Sequence, residues 1–313
     1  MSAVRTVLGD VDPGALGVCD VHDHLFLRSP ALPGPPLDDP AEAAGRLGGF
    51  RALGGGALAQ WTPFGMGRRV AEVVAASRAT GVHLIAATGL HQEVHYDPEV
   101  LRRLRGGDRL AAFFVAELTE GMIAGDDPDG PRSAVPAGMI KVAGMFHTLD
   151  DHTRWVMTAA AQAHHATGAP IGIHHELGTS AVDVLALLHG DLAVPARSLL
   201  LGHLNRFPDP GVHRELAAAG AYLAFDGPSR AYHATDPWLV DSLVALAAAG
   251  HTEQLLLGAD TTSPGAGPGA PYLLRTLRPR LIRELGEGPA DTVFRANPSR
   301  ALSAPWPTPG APS

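Results

Sequence analysis

The chain has 313 residues, 45% of them hydrophobic, enough to bury a large core either as two small domains or as one α/β barrel. Its net charge of -8 and scattered arginines, with no basic cluster or aromatic-basic stripe, exclude a nucleic-acid surface. The single cysteine, Cys19, excludes an internal disulfide, and no apolar run reaches the roughly 18 residues that a membrane span needs.

Short apolar runs followed by helical periodicity mark eight strands in chain order. They are Gly17 to Val21, Ala57 to Trp61, Val82 to Ala87, Met139 to Ala143, Pro170 to Ile173, Leu199 to Gly202, Ala221 to Phe225 and Leu255 to Ala259. Most are continuously apolar, as expected of strands covered on both faces in a parallel sheet. Between them lie amphipathic stretches: Arg68 to Thr80, His152 to Thr167, Ser180 to His189, Gly211 to Ala219 and Pro237 to Ala249. Several run into a glycine suited to a helix C-cap, namely Gly81, Gly168, Gly220 and Gly250.

Strand, helix, glycine, strand repeated in this way predicts a closed (β/α)8 TIM barrel, α/β in class, over residues 1–303, followed by a Pro-rich tail at 304–313. The weakest links are the second strand and the stretch from His91 to Gly138, where helices outnumber strands. An open doubly wound sheet is the alternative, although no Gly-rich phosphate loop follows the first strand. The N-terminus lacks the basic start and apolar core of a signal peptide, so a cytoplasmic protein with neither nucleic acid nor membrane as partner is expected.

In such barrels function collects at the C-terminal ends of the strands. The first strand runs into His22 and His24, which share a side because the side-chain period of a strand is two. The fourth carries Lys141 inside Ile140-Lys141-Val142, the fifth ends in His174, the sixth in His203 and the eighth in Asp260. Any one of these histidines could be a buried residue bonded to backbone, and Asp260 could cap a turn. Together they place six polar candidates at one mouth, next to apolar runs where burial is otherwise costly, and this points to a metal site.

The ordered motifs resemble the phosphotriesterase-like branch of the amidohydrolase superfamily. They are Val21-His22-Asp23-His24-Leu25, Ala137-Gly138-Met139-Ile140-Lys141-Val142, Pro170-Ile171-Gly172-Ile173-His174, Leu201-Gly202-His203, Gly258-Ala259-Asp260 and Asn297-Pro298, and they span nearly the whole chain. The resemblance implies a distorted barrel of amidohydrolase type with two divalent ions, often zinc, at its mouth. By the same resemblance His22, His24 and Asp260 would hold the more buried ion, and His174 and His203 the more exposed one. Lys141, carbamylated by carbon dioxide, would bridge them. A shared hydroxide would be the nucleophile, and Asp260 the group that passes its proton to the leaving group. Manganese, cobalt or iron would suit the same donors. His175 should point away by strand alternation.

Substrate choice rests on the loops. Family members that hydrolyse phosphotriesters tend to have a histidine after the strand-seven aspartate, and long-chain lactonases an arginine; here Asp226 is followed by Gly227. The stretches from His203 to Pro210 and from Phe225 to Arg230 look more like members that open sugar-derived lactones. The loop Thr261 to Gly267 lacks the basic residues that would suit a phosphorylated substrate. A small lactone or carboxylic ester is therefore expected, with Arg206, Asp226, Arg230 and Gln92 as candidate substrate contacts. His91 and His95 are further candidates for the pocket wall, as are Trp61 and Phe64. Phosphotriester hydrolysis, amide hydrolysis and a ligand-binding barrel without catalysis are the alternatives. The family leans towards dimers, and the apolar stretch from Phe50 to Met66 offers surface for one.

Overall fold

The polar residues at the ends of apolar runs are gathered by eight parallel strands, hydrogen-bonded in chain order. The computed structural model describes residues 2–227, 234–265 and 269–307. An N-terminal hairpin, β1 (Ala3–Thr6) and β2 (Gly9–Val11), precedes the barrel strands β3 (Val18–Asp23), β4 (Gly55–Gln60), β5 (His83–Thr88), β6 (Met139–Gly144), β7 (Ile171–His175), β8 (Leu199–Leu201), β9 (Tyr222–Asp226) and β10 (Leu255–Gly258). Each barrel strand lies within two residues, at either end, of the run read from the sequence.

The barrel is nearly closed. Strands β10 and β3 meet through one main-chain bond, from Asp260 N–H to the His22 carbonyl at 2.8 Å. Gly258 makes that approach feasible, since a Cβ there would lie 2.7 Å from both the Cβ and the carbonyl oxygen of His22. Inside, Cys19, Val21, Ala57, Ala59, Trp61, Ile85, Ala87, Met139, Leu200, Ala224 and Leu256 fill the lumen. Outside, Leu58, Leu84, Ile140, Val142, Ile171, Ile173, Leu201, Leu223 and Phe225 pack under the helices. Burial on both faces explains why the strands read as unbroken apolar runs.

Helices Val70–Thr80 and Asp151–Thr167 end as expected on Gly81 and Gly168, both left-handed, with N–H groups returning to Ser77 and His164. The stretch from His91 to Gly138 holds two helices, Pro98–Leu104 and Arg109–Thr119, before β6 begins. It is tied down by the buried Arg68–Glu117 ion pair (Nη1 to Oε2, 2.7 Å), with Thr88 also donating to Glu117.

Three findings depart from expectation. A small antiparallel sheet in the order β11 (Ser303–Ala304), β1, β2 covers the N-terminal end of the barrel, with Val4, Leu16 and Leu302 joining the lumen cluster. The tail expected from residue 304 is in fact part of the fold as far as Trp306, whose indole stacks on Arg5 at 4.2 Å and donates to the Ala3 carbonyl. Finally, the stretch from Phe50 to Met66 offers little apolar surface: Phe50, Leu58, Trp61, Phe64 and Met66 are buried in the core, and the exposed part is residues 51–54, with Leu53 its one large apolar side chain.

Candidate metal centre

All six expected ligands face one cavity of about 430 Å³ at the C-terminal ends of the strands. His22 lies on β3 and His24 just past its end, Lys141 lies on β6, and His174 is the next-to-last residue of β7. His203 and Asp260 come directly after the glycine and alanine that follow β8 and β10, each with a left-handed backbone (φ 64° and 46°) that is costly for a residue with a side chain. Strain of that kind is held where a side chain must be aimed. Asp260 Oδ1 lies 3.6 Å from both His22 Nε2 and His24 Nε2, so three donor atoms converge.

The hydrogen bonds settle which nitrogen of each histidine carries a lone pair. His22 Nδ1 donates to Asp226 Oδ2 at 2.7 Å, and His203 Nδ1 donates to Asp226 Oδ1. Thr62 directs its hydroxyl hydrogen at the Phe26 carbonyl and therefore accepts from His24 Nδ1, at 2.8 Å. His174 Nε2 donates to Glu176 Oε2 at 3.0 Å. Each ring thus has one nitrogen committed to an acceptor and the other free as a Lewis base. The free pair His203 Nε2 and His174 Nδ1 face each other at 2.8 Å. Two lone pairs at that distance repel unless a proton or a cation lies between them, so the donor set fits divalent ions.

Burial disfavours the charged form of three of these rings: it lowers His24 to about 4 and brings His174 and His203 below the usual histidine range. Burial also brings the Lys141 amine down to about 7, with Asp260 and Glu176 opposing the shift. It would raise Asp226, but the two imidazole donors prevail and hold it as a carboxylate.

Asp226 is therefore not a substrate contact. It is fully buried behind the histidines, and both its oxygens are engaged by them. Arg206 does line the cavity, with Nη2 2.7 Å from Asp260 Oδ2. Gln92 lines it too, although its amide donates to the Gly144 carbonyl and to Glu176, both at 3.1 Å. Arg230 lies outside the described residues. His91 and His95 form part of the wall, together with Leu27, Leu32, Pro63, Met66 and Val94. Trp61 lies beneath the site, its ring stacked on His22 at 3.8 Å, and Phe64 packs against Phe113. His175 turns away and bonds the Thr179 carbonyl. Glu176 and Thr62 were not anticipated; the only local hint for Glu176 was an acidic residue two positions after a candidate ligand.

Known proteins resemble this chain over most of its length. A phospho-furanose lactonase of Mycoplasmopsis agalactiae is 31% identical, with 76% of this chain and 70% of that protein covered. An N-acetyltaurine hydrolase of Bos taurus is 26% identical across 96% of this chain and 97% of its own. Among solved structures, a lactonase from Listeria monocytogenes superposes with a TM-score of 0.85 at 26% identity, covering 96% of this chain and 98% of that one. No described helix is long and apolar enough to cross a membrane. The profile of the phosphotriesterase family matches residues 2–302, and the chain belongs to that family of metal-dependent hydrolases.

Proposed function

We propose that the protein is a binuclear metal-dependent hydrolase that opens a small or sugar-derived lactone or cleaves a carboxylic ester. The carrying observation is the tautomer pattern: four histidines, each with one nitrogen held by an acceptor and the other turned into the same cavity. His22, His24 and Asp260 would hold one ion, His174 and His203 the other, and a carbamylated Lys141 would join them. Bound divalent ions, zinc or a similar metal, would make water a nucleophile near neutral pH and polarise the carbonyl.

The chain's own groups do the rest. Asp260, at the cavity, is the carboxylate that would take a proton and return it to the leaving oxygen. Arg206 holds the other oxygen of that carboxylate. The apolar wall of Leu27, Leu32, Pro63, Met66 and Val94 keeps water from the ring of the substrate. Among the described cavity-lining residues the lysine and arginine are Lys141, which would be the carbamate bridge, and Arg206, which is paired with Asp260, and this favours a substrate without a phosphate.

Amide hydrolysis is the second reading, supported by the N-acetyltaurine hydrolase relative, and phosphotriester cleavage would be a side activity. A panel of sugar lactones, homoserine lactones, aryl esters, N-acetylated amines and paraoxon tests the choice. The highest kcat/KM is expected on an unphosphorylated lactone or ester; the highest on paraoxon would overturn the proposal.

A further inference from the structure

We infer that Glu176 is the positioning residue for His174, keeping the imidazole proton on Nε2 so that Nδ1 is available to an ion shared with His203. The inference rests on the metal-dependent reading above. Glu176 Oε2 accepts from His174 Nε2 at 3.0 Å and from Gln92 Nε2 at 3.1 Å. Gln92 is itself anchored on the Gly144 carbonyl at the end of β6, so the carboxylate is gripped from the segment after β5 and from β7.

The turn that presents Glu176 is built for that purpose. Thr179 returns both its N–H (3.1 Å) and its hydroxyl (2.8 Å) to the Glu176 carbonyl, and Leu177 adopts a left-handed φ of 50°. Leu177 gains no burial for that strain, since its side chain is about half exposed. What the turn does achieve is to return the carboxylate to the ring two residues upstream.

The chemical consequence follows from the free histidine pair. A neutral imidazole has one proton and two places to put it. With an acceptor at Nε2, the proton stays there and Nδ1 meets His203 Nε2 as a second lone pair. Without Glu176, the proton can move to Nδ1 and be donated to His203 Nε2, 2.8 Å away. The two histidines would then satisfy each other, and an ion would have to break their bond. His22 and His24 do not depend on Glu176, because Asp226 and Thr62 hold them. One ion should therefore suffer and the other should not.

The test is Glu176→Ala, with Glu176→Gln as the conservative variant, whose amide oxygen can still accept from Nε2. Zinc titration of the metal-free proteins, followed by calorimetry, is paired with ¹⁵N spectra of the histidine rings. In the alanine variant one zinc should bind as in wild type and the second about 10 to 100-fold more weakly. Its His174 proton should appear on Nδ1, and the glutamine variant should restore part of both effects. Both zinc affinities unchanged from wild type, or a His174 proton that stays on Nε2, would overturn the role of Glu176. A wild-type protein that binds no zinc would overturn the metal reading instead, and the ring spectra would still judge Glu176.

Discussion

Arg206 reaches Asp260 across the mouth of the barrel, with Nη2 2.7 Å from Oδ2, through space that Gly227 leaves open. A Cβ at position 227 would lie 3.1 Å from that nitrogen and 3.6 Å from the carboxylate oxygen, and the backbone there has a φ of 72°. A side chain after the strand-seven aspartate would crowd this ion pair and take on a strained backbone. A histidine or arginine at that position would displace the pair.

Arg206→Met should lower kcat on the order of 10²-fold, the scale of an impaired general base, with a smaller change in KM. Gly227→Ala should act in the same direction, and Arg206→Lys should restore part of the loss. Steady-state kinetics on the best lactone decides this. A raised KM with kcat intact would make Arg206 a substrate clamp and not a partner of Asp260.

Asp226→Asn tests the shared carboxylate. An amide has one acceptor oxygen where two imidazoles need one each, and its NH₂ would confront the other Nδ1–H. Because His22 and His203 are proposed to hold different ions, both metal affinities should fall, by about 10 to 100-fold. Chelator competition measures it, and unchanged affinities would count against the arrangement.

Lys141 should take up carbon dioxide. Burial brings its amine to about 7, so at neutral pH a large share is uncharged and nucleophilic. Metal-free protein supplied with zinc should regain activity faster with added bicarbonate, and labelled bicarbonate should give a carbamate carbon signal that Lys141→Ala lacks. Reconstitution indifferent to bicarbonate, with no such signal, would exclude the carbamate.

The metal-free protein should lose stability in mild acid. Burial holds His175 down to about 3, against about 6.5 for an exposed histidine, and lowers His164 and His213 in the same direction. Below about 6.5 the unfolded chain binds protons that the folded chain refuses, so stability present above that pH is lost as pH falls towards 3. Calorimetric Tm should drop between pH 7 and pH 4, and less steeply for His175→Asn. A flat Tm would contradict these buried neutral rings.

Much of the centre was legible because the ligand candidates stand at the end of an apolar run or, for Lys141, interrupt one, a local signal that needs no contacts. His22, Lys141, His174, His203 and Asp260 could be found this way, as could their common side of the barrel. What could not be read were the partners that set their protonation. Asp226 lies 204 positions from His22, and its aspartate on a strand end looks the same whether it faces substrate or a histidine. Glu176 is partly exposed, where acidic residues are ordinary. The small sheet escaped notice because β1, β2 and β11 have four, three and two residues, too few to show alternation.

Metal content of the purified protein, measured after saturation with zinc and removal of excess, tests the central claim most directly. Close to two ions per chain is the expected result, falling for Lys141→Ala together with hydrolysis. A wild-type protein that retains none, and is no more active with metal than without it, would contradict a binuclear centre at this mouth.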